Sequence, residues 1–396
     1  MRRSAQLVVC LTVFIDMLGF TLILPALPLY AAELGASGAW VGVLLTSYSV
    51  MQLACAPVLG RLSDSHGRRP ILLLALAGST ISLALTGAAQ SLWLLLAARA
   101  LAGGFGGSIA VGQAFAVDLA GPAGRTKALG QVGAAVGFAF VAGPALGAAA
   151  APFGFATSAY LAAALAGANL AVAVVVLPES PPLAGGAAGD RREPGRRIAG
   201  GHIVAILAAG FLTMFAFVGM EATFALVGQL RFGFDASDVG IVLASAGLAM
   251  VLVQVVLIGR LVGRWGDQRV CAGGALLMAG SLVAIPFLPA FACVPAVALL
   301  AAGYGLVSPT VASMLAQGGP PEQRGRRLGA GQSLAAAGRA SGPVCAGLLF
   351  DVAAVLPYLV GASAAALAAA GATAAKRSLN RAATPEPAAS IVSRPG

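Results

Sequence analysis

Apolar stretches of about 20 residues recur along the whole chain, with short polar segments between them. A helix needs a stretch of that length to cross the hydrocarbon of a bilayer. Such a segment must be helical, because lipid offers an open backbone no hydrogen-bonding partner. The composition agrees, since 59% of residues are hydrophobic and 10% are charged, against roughly 25% charged in a soluble domain. The sequence therefore predicts an all-α integral membrane protein.

The apolar pattern predicts twelve membrane-spanning helices. Their predicted ranges are 6–30, 39–60, 70–89, 92–117, 128–150, 156–177, 203–229, 238–259, 270–289, 292–316, 328–350 and 354–375. The first range is too long for the apolar part of a cleaved signal peptide. Residues 178–202 are predicted to be a polar cytoplasmic linker, and residues 376–396 a disordered cytoplasmic tail.

The two halves of the chain, 1–177 and 203–375, repeat each other at an offset of 199 residues. Gly60-Arg61-Leu62 returns as Gly259-Arg260-Leu261, and Gly143-Pro144 returns as Gly342-Pro343. This repeat predicts two pseudo-symmetric six-helix bundles. Weak internal symmetry of this kind recurs among secondary transporters, whose binding site lies where the halves meet.

The positive charges are distributed unevenly between the two sides of the predicted helices. Of 24 Lys and Arg residues, 21 fall on the side of the termini and linker, Arg231 lies on the other side, and Arg99 and Arg339 lie inside spans. By the positive-inside rule, both termini are cytoplasmic in a plasma or inner membrane. The net charge of +10 is thereby explained by topology, and it does not indicate nucleic-acid binding.

The segment between the second and third predicted spans carries a glycine and charge pattern. It resembles the G-x-L-a-D-r-x-G-r-r motif of the major facilitator superfamily, matched at Gly60, Leu62, Asp64, Gly67, Arg68 and Arg69. Ser65 departs from it, because the family usually has a basic residue there. The resemblance implies a gate that locks the cytoplasmic side in the outward-facing state.

Within this segment we expect Asp64 to lie near the start of the third span, where a helix N-terminus favours a carboxylate. Arg125 or Asp118 would be its partner at the turn between spans four and five. Arg68 and Arg69 would anchor at the lipid headgroups. A purely topological role for the two arginines is the alternative.

The fifth predicted span contains Gly137, Gly143, Pro144 and Gly147. A proline inside a span bends the helix and frees a carbonyl, so a simple packing kink is one interpretation. The spacing G-x5-G-P-x-x-G is also similar to the antiporter motif of the drug:proton antiporter branch, with Ala148 replacing its last glycine. That resemblance favours export over uptake.

Asp16 lies near the middle of the first predicted span. The surrounding D-x-x-G…P-x-x-P pattern, from Asp16 to Pro28, is similar to the opening of tetracycline-efflux pumps. A bare carboxylate at this depth is expensive, so we expect Asp16 to hold a proton part of the time, as a proton carrier must. The alternative is a structural Asp16 bonded to a backbone carbonyl.

Arg99 in the fourth span resembles the family's R-x-x-q-G motif, with Ala102 in place of the glutamine. An arginine inside the membrane keeps its charge. It could redirect a proton on Asp16, or it could tie spans one and four together. Both interpretations stay open.

Glu221 and Arg339 are the intramembrane charges of the second half. Glu221 is predicted to be a second protonation site or the anchor of a cationic substrate, or equally the partner of Arg339. Gln113, Phe217, Phe224 and Arg339 are the predicted lining of the substrate cavity.

Several classes of protein are disfavoured by what the sequence lacks. It has no G-x-x-x-x-G-K-[ST] motif, no metal-type cysteine spacing and two histidines only, so we expect neither enzymatic activity nor a cofactor. The resemblance implies a monomeric, proton-coupled exporter of small, largely apolar compounds. A metabolite exporter and a non-transporting scaffold or sensor are the alternatives.

Overall fold

The structure is a computed structural model that describes residues 2–177, 201–319 and 323–383. Regular structure in these ranges is helical throughout. The helices are α1 (Arg2–Leu22), α2 (Leu27–Glu33), α3 (Gly38–His66), α4 (Arg68–Ala88), α5 (Leu92–Phe105), α6 (Ser108–Ala150), α7 (Phe155–Val176), α8 (Gly201–Phe232), α9 (Ala236–Leu252), α10 (Ile258–Trp265), α11 (Asp267–Ala284), α12 (Ala290–Gln317), α13 (Arg324–Val352) and α14 (Leu356–Ala383). A π-helical turn, Val253–Leu257, joins α9 to α10.

Eleven stretches of the described chain are long and apolar enough to cross a bilayer. The remaining predicted span, 328–350, lies in α13. This helix has 29 residues and is about 44 Å long at 1.5 Å per residue, so its length is sufficient. Its composition is too polar, because Arg339 lies in its middle and arginines cluster in its first turn.

Four hydrophobic clusters hold the helices together. The largest is built mainly from α8, α9, α11, α12 and α14 and includes Phe224, Met278 and Tyr358. Another lies among α1, α3, α4, α6 and α7, around Val13, Leu76 and Phe115. We refer to α1–α7 as bundle one and to α8–α14 as bundle two. Many core positions are alanine, which lets membrane helices approach closely.

The chain reverses direction within residues that are assigned to one helix, α6. Ser108 bonds to Asp16 and Gly112 meets Val13, so this part of α6 runs back along α1. Further on, Gln131 bonds to Gln6 near the beginning of α1, and later residues of α6 again approach its end. These contacts place the reversal between Gly112 and Gln131, so α6 contains the end of the fourth predicted span and all of the fifth.

Three predicted boundaries need correction. Pro25 separates α1 from α2 inside the first predicted span, and Gly106-Gly107 divides the fourth into α5 and α6. α14 continues to Ala383, eight residues beyond the predicted end at 375, because alanine is the strongest helix former. The predicted linker from residue 178 to 200 and the tail from residue 384 lie outside the described residues.

Candidate functional site

Asp16 is buried inside bundle one, with 3% of its surface exposed. Its Oδ2 accepts a hydrogen bond from Ser108 Oγ at 2.5 Å, whereas Oδ1 has no hydrogen-bonding partner. The predicted alternative, a bond to a backbone carbonyl, is not what the structure contains. Asp16 lies beside a cavity of about 20 Å³, which is room for roughly one water.

Residues of bundle one line this cavity throughout. They are Asp16, Met17, Phe20, Tyr48, Ser79, Ser82, Leu83, Arg99, Ala102, Phe105 and Gly106. The cavity therefore brings together Asp16 on α1 and Arg99 on α5, two of the three predicted proton-coupling residues.

Arg99 is 1% exposed and has few partners for a guanidinium. Its Nη2 lies 3.5 Å from Thr86 Oγ1, and its Nε has no hydrogen-bonding partner. Arg99 and Asp16 line the same cavity without forming an ion pair. A buried charge without a paired opposite charge is costly, and such groups cluster where ions or protons move.

Glu221 and Arg339 are both partly buried. The described residues contain no ion pair between them, so their predicted pairing is not seen. Tyr304 lies on α12 of the same bundle. Its ring stacks on Phe217, with centroids 4.6 Å apart.

The other residues predicted to line the substrate cavity differ in how deeply they are buried. Phe217 and Gln113 are partly buried, on α8 and α6. Phe224 is 1% exposed and belongs to the core of bundle two, so the prediction that it lines the substrate cavity is wrong. Phe224 follows Phe217 by two helical turns, and at its depth the face of α8 is covered by neighbouring helices.

Arg68, the first residue of α4, lies between two carboxylates. Its Nη1 is 2.5 Å from Asp64 Oδ1, and its Nε is 2.9 Å from Asp118 Oδ2. A cation at this position faces the positive end of the helix dipole, which the two carboxylates offset. Arg68 is 8% exposed, so it is not the headgroup anchor that was predicted.

The loop that was predicted between the second and third spans is a single residue in the structure. α3 ends at His66 and α4 begins at Arg68, so Gly67 alone lies outside the helices. Gly67 has a φ of 95°, which glycine adopts without steric strain. Asp64 consequently lies in the last turn of α3, and its predicted place at the start of the next helix is wrong.

The remaining residues of the predicted cytoplasmic gate do not contact one another among the described side chains. Arg69 Nη2 donates to the Val174 carbonyl at 2.6 Å, near the end of α7. Gly60 has no non-neighbouring atom within 4 Å of the position of a Cβ. The side chain of Arg125 lies outside the described part of the structure.

The antiporter-motif glycines of α6 pack closely against neighbouring helices. A Cβ on Gly143 would overlap Thr21 of α1, and one on Gly147 would overlap the Leu22 carbonyl. Gly137 lies nearer bundle two, with Val251 Cγ2 3.5 Å from its Cβ position. The carbonyl of Pro144 faces Gly240 of α9, where a Cβ would come within 2.8 Å. Small residues thus let α6 fill the space between α1 and bundle two.

The two bundles meet along two pairs of crossing helices, α3 with α13 and α6 with α9. In the first pair, Thr46 Oγ1 donates to the Ala340 carbonyl at 2.8 Å. In the second, Ser237 Oγ donates to the Ala148 carbonyl at 2.6 Å. The contact between Ser237 and Ala148 lies at the ends of α9 and α6 that are remote from the termini and linker, and the contact between Thr46 and Ala340 lies nearer the middle of α13. We refer to the side of these remote helix ends as the closed side.

Asp351, near the end of α13, caps a helix of the other bundle on the closed side. Its Oδ1 accepts from the Gly38 N–H at 2.6 Å, and its Oδ2 accepts from the Ala39 N–H at 2.9 Å. These groups begin α3, where backbone donors have no partner within the helix. The dipole of α3 also favours a carboxylate at this end. A charge-assisted cap therefore joins the bundles.

On the side of the termini and linker, three glycines have open space around them. Gly60 of α3, Gly133 of α6 and Gly259 of α10 have no non-neighbouring atom within 4 Å of their Cβ positions. The hydrogen bonds described between the bundles belong to the closed side or, for Thr46, lie nearer the middle of α13.

Replacing Asp351 should loosen the closed side. For Asp351→Ala we expect amide exchange at Gly38 and Ala39 to rise about tenfold, since losing a helix cap costs about 1–2 kcal/mol. Hydrogen–deuterium exchange mass spectrometry of a peptide covering residues 35–45 measures this increase in amide exchange. Asp235→Ala is the control, because Asp235 caps α9 within its own bundle. Unchanged exchange in Asp351→Ala would contradict a capping role.

Sequence reasoning missed Ser108, Tyr48, Tyr304 and Asp351. Ser108 follows the run Gly103-Gly104-Phe105-Gly106-Gly107, whose glycines signal a break inside a span. Asp351 is an isolated carboxylate directly after a predicted span. These signals mark the positions, but they do not give the partners.

Two six-helix bundles, one of which buries Asp16 and Arg99, are the architecture of a membrane transporter. The sequence profile of the Major Facilitator Superfamily matches residues 9–343 and, overlapping them, 210–390. The chain belongs to the major facilitator superfamily, and the predicted fold class is confirmed. It is a multi-pass membrane protein with a small-molecule substrate.

Similar proteins lie in the drug-efflux branch of the family. The class C tetracycline resistance protein of Escherichia coli is 31% identical over 381 residues, covering 91% of this chain and 94% of that protein. Multidrug resistance protein 1 of Bacillus subtilis is 28% identical over 366 residues, covering 90% and 92%. The crystal structure of the human organic anion transporter MFSD10 (TETRAN) superposes with a TM-score of 0.68 at 26% identity, covering 94% and 99%.

Proposed function

We propose that this protein exports small, largely apolar compounds across the plasma membrane in exchange for protons. The observation that carries the proposal is Asp16, a buried carboxylate with one unpartnered oxygen, beside an Arg99 that does not neutralise it. Groups of this kind inside a membrane are expensive to maintain and mark proton or ion pathways. The likeness to a tetracycline resistance protein and a multidrug resistance protein supports drug-like compounds as substrates.

The proposed mechanism is alternating access. The positive residues favour cytoplasmic termini, so the closed side faces outward. Substrate enters between the bundles and displaces a proton from Asp16 or Glu221. The closed side then opens, and protonation from outside returns the monomeric carrier to the described state.

Transport into inside-out vesicles tests the proposal, with tetracycline as the probe. We expect vesicles that contain the protein to accumulate tetracycline when their interior is acidified. Nigericin, which collapses the pH gradient, should abolish the accumulation. Vesicles without the protein are the control.

Two outcomes would contradict the proposal. If tetracycline accumulates equally well with and without the pH gradient, transport is not coupled to protons. Neither accumulation nor proton release, for tetracycline or a wider panel of toxins, would indicate a scaffold or sensor.

A further inference from the structure

Ser108 holds one of the two carboxyl oxygens of Asp16. Its Oγ donates to Asp16 Oδ2 at 2.5 Å, and Ser108 and Asp16 are only 1% and 3% exposed. The other carboxyl oxygen, Oδ1, is buried and has no hydrogen-bonding partner among the described residues. The two oxygens of one carboxyl group therefore have different surroundings, since one is engaged by a hydroxyl and the other is not.

A break in the fourth predicted span places Ser108 at this position. Gly106-Gly107 separates α5 from α6, and Ser108 is the first residue of α6. The carbonyl of Gly106 accepts a hydrogen bond from Gln52 Nε2 of α3 at 2.7 Å. A Cβ on Gly107 would lie 2.7 Å from Leu59 Cδ1 of the same helix, too close for a side chain to fit. Packing and hydrogen bonding to α3 thus fix the break, and with it the position of the Ser108 hydroxyl.

The groups around Asp16 come from every helix that packs against its part of α1. Those that line its cavity are Arg99 of α5, Tyr48 of α3, and Ser79 and Ser82 of α4. From α7, Asn169 Nδ2 donates to the carbonyl of Thr12, one helical turn before Asp16. Of these groups Arg99 and Tyr48 are titratable, and neither forms a described hydrogen bond with the carboxyl group. The hydrogen bond that the structure gives to this carboxyl group comes from Ser108.

We propose that Ser108 is a positioning residue for proton transfer, which holds Oδ2 of Asp16 so that the transported proton binds at Oδ1. The inference rests on the proposed function, in which Asp16 exchanges a proton. A hydrogen bond donated to a carboxylate favours its charged form, so Ser108 promotes release of the proton. When Oδ1 is protonated, Oδ2 is the carbonyl oxygen of a carboxylic acid and still accepts from Ser108. The proton therefore binds at the same oxygen in every cycle.

Infrared difference spectroscopy of the purified full-length protein tests this inference without substrate. The C=O stretch of a protonated carboxyl group reports both its proton and its hydrogen bond, and the band missing from Asp16→Asn belongs to Asp16. A pH series gives the midpoint at which half of Asp16 is protonated. In Ser108→Ala we expect this midpoint to rise by about one pH unit, a tenfold gain in proton affinity, because the charged form loses its donor. The band should also move to higher wavenumber, because the carbonyl oxygen Oδ2 loses its hydrogen bond.

Two conservative variants and a matched control accompany Ser108→Ala. Ser108→Thr keeps a hydroxyl and should titrate close to the wild type, whereas Ser108→Cys has a weaker donor and should fall between. Ser158→Ala is the control, because Ser158 is also 1% exposed but donates to the Gly154 carbonyl, four residues before it. Thermal melting verifies that each variant is folded.

Three results would overturn the inference. They are a folded Ser108→Ala with the midpoint and band position of the wild type, an equal shift in Ser158→Ala, and a Ser108→Thr as altered as Ser108→Ala. If Ser108→Ala fails to fold, Ser108→Cys decides by the same two readouts. An Asp16 that titrates as described, in a protein whose tetracycline transport does not depend on the pH gradient, would contradict the proposed function alone.

Discussion

Asp16→Asn should lower pH-gradient-driven export at least about 100-fold, the size expected when a positioned proton-transferring group is lost. Asparagine has nearly the shape of aspartate and can still accept the hydrogen bond from Ser108. It cannot take up or release a proton. Substrate binding should therefore survive while coupling to the gradient is lost.

The measurement compares initial rates of tetracycline accumulation in inside-out vesicles with and without the gradient. Glu33→Gln is the control, because it makes the same chemical change at an exposed carboxylate near the end of the same span. Asp16→Asn with wild-type export and unchanged proton dependence would remove Asp16 from the mechanism.

Gly42→Leu should prevent the bundles from meeting on the closed side. A Cβ at Gly42 would come within 2.7 Å of Val344 Cα and 2.9 Å of the Pro343 carbonyl carbon. These are backbone atoms of α13, so they cannot rotate away as a side chain does. Overpacking of this kind typically costs about 1–3 kcal/mol or more, which shifts the population by roughly tenfold to a hundredfold.

Spin labels on Glu33→Cys and Ala353→Cys, in a background without the native cysteines, report the separation across the closed side. We expect the distance distribution to move to longer values in Gly42→Leu, with export lost. Gly280→Leu is the matched control, because Gly280 on α11 is exposed and has open space around its Cβ position. A short distance retained in Gly42→Leu would show that the helices absorb the added volume.

The helices and the family were predictable from sequence because both depend on local pattern. Runs of apolar residues fix where a chain crosses a membrane, and motifs such as Gly60 to Arg69 fix the resemblance. The same reasoning failed at Asp64, since Gly67 alone allows the two helices to join without the expected loop.

The partners in the candidate site were not predictable, because they meet across large sequence separations. Ser108 lies 92 residues from Asp16, and Asp351 lies 313 residues from Gly38. The periodicity of a sequence indicates which face of a helix points inward. It does not indicate where along the helix that face is covered by neighbouring helices. Phe217 and Phe224 were both predicted to line the substrate cavity, yet Phe217 is partly buried whereas Phe224 is 1% exposed and lies in the core of bundle two.

Gly67 and Gly266, which are 199 residues apart, both have positive φ angles, 95° and 80°, and each immediately precedes a helix. The next residue is Arg68 in one bundle and Asp267 in the other. Asp267 suits a helix N-terminus and accepts hydrogen bonds from two uncharged side chains, Ser313 at 2.9 Å and Gln317 at 3.3 Å. Arg68, in contrast, pairs with carboxylates whose side chains are 50% and 39% exposed. Salt screens exposed charges over a Debye length of about 8 Å at physiological ionic strength. Changes in ionic strength at that surface should therefore alter the stability of the junction between α3 and α4, and they should have little effect on the junction between α10 and α11.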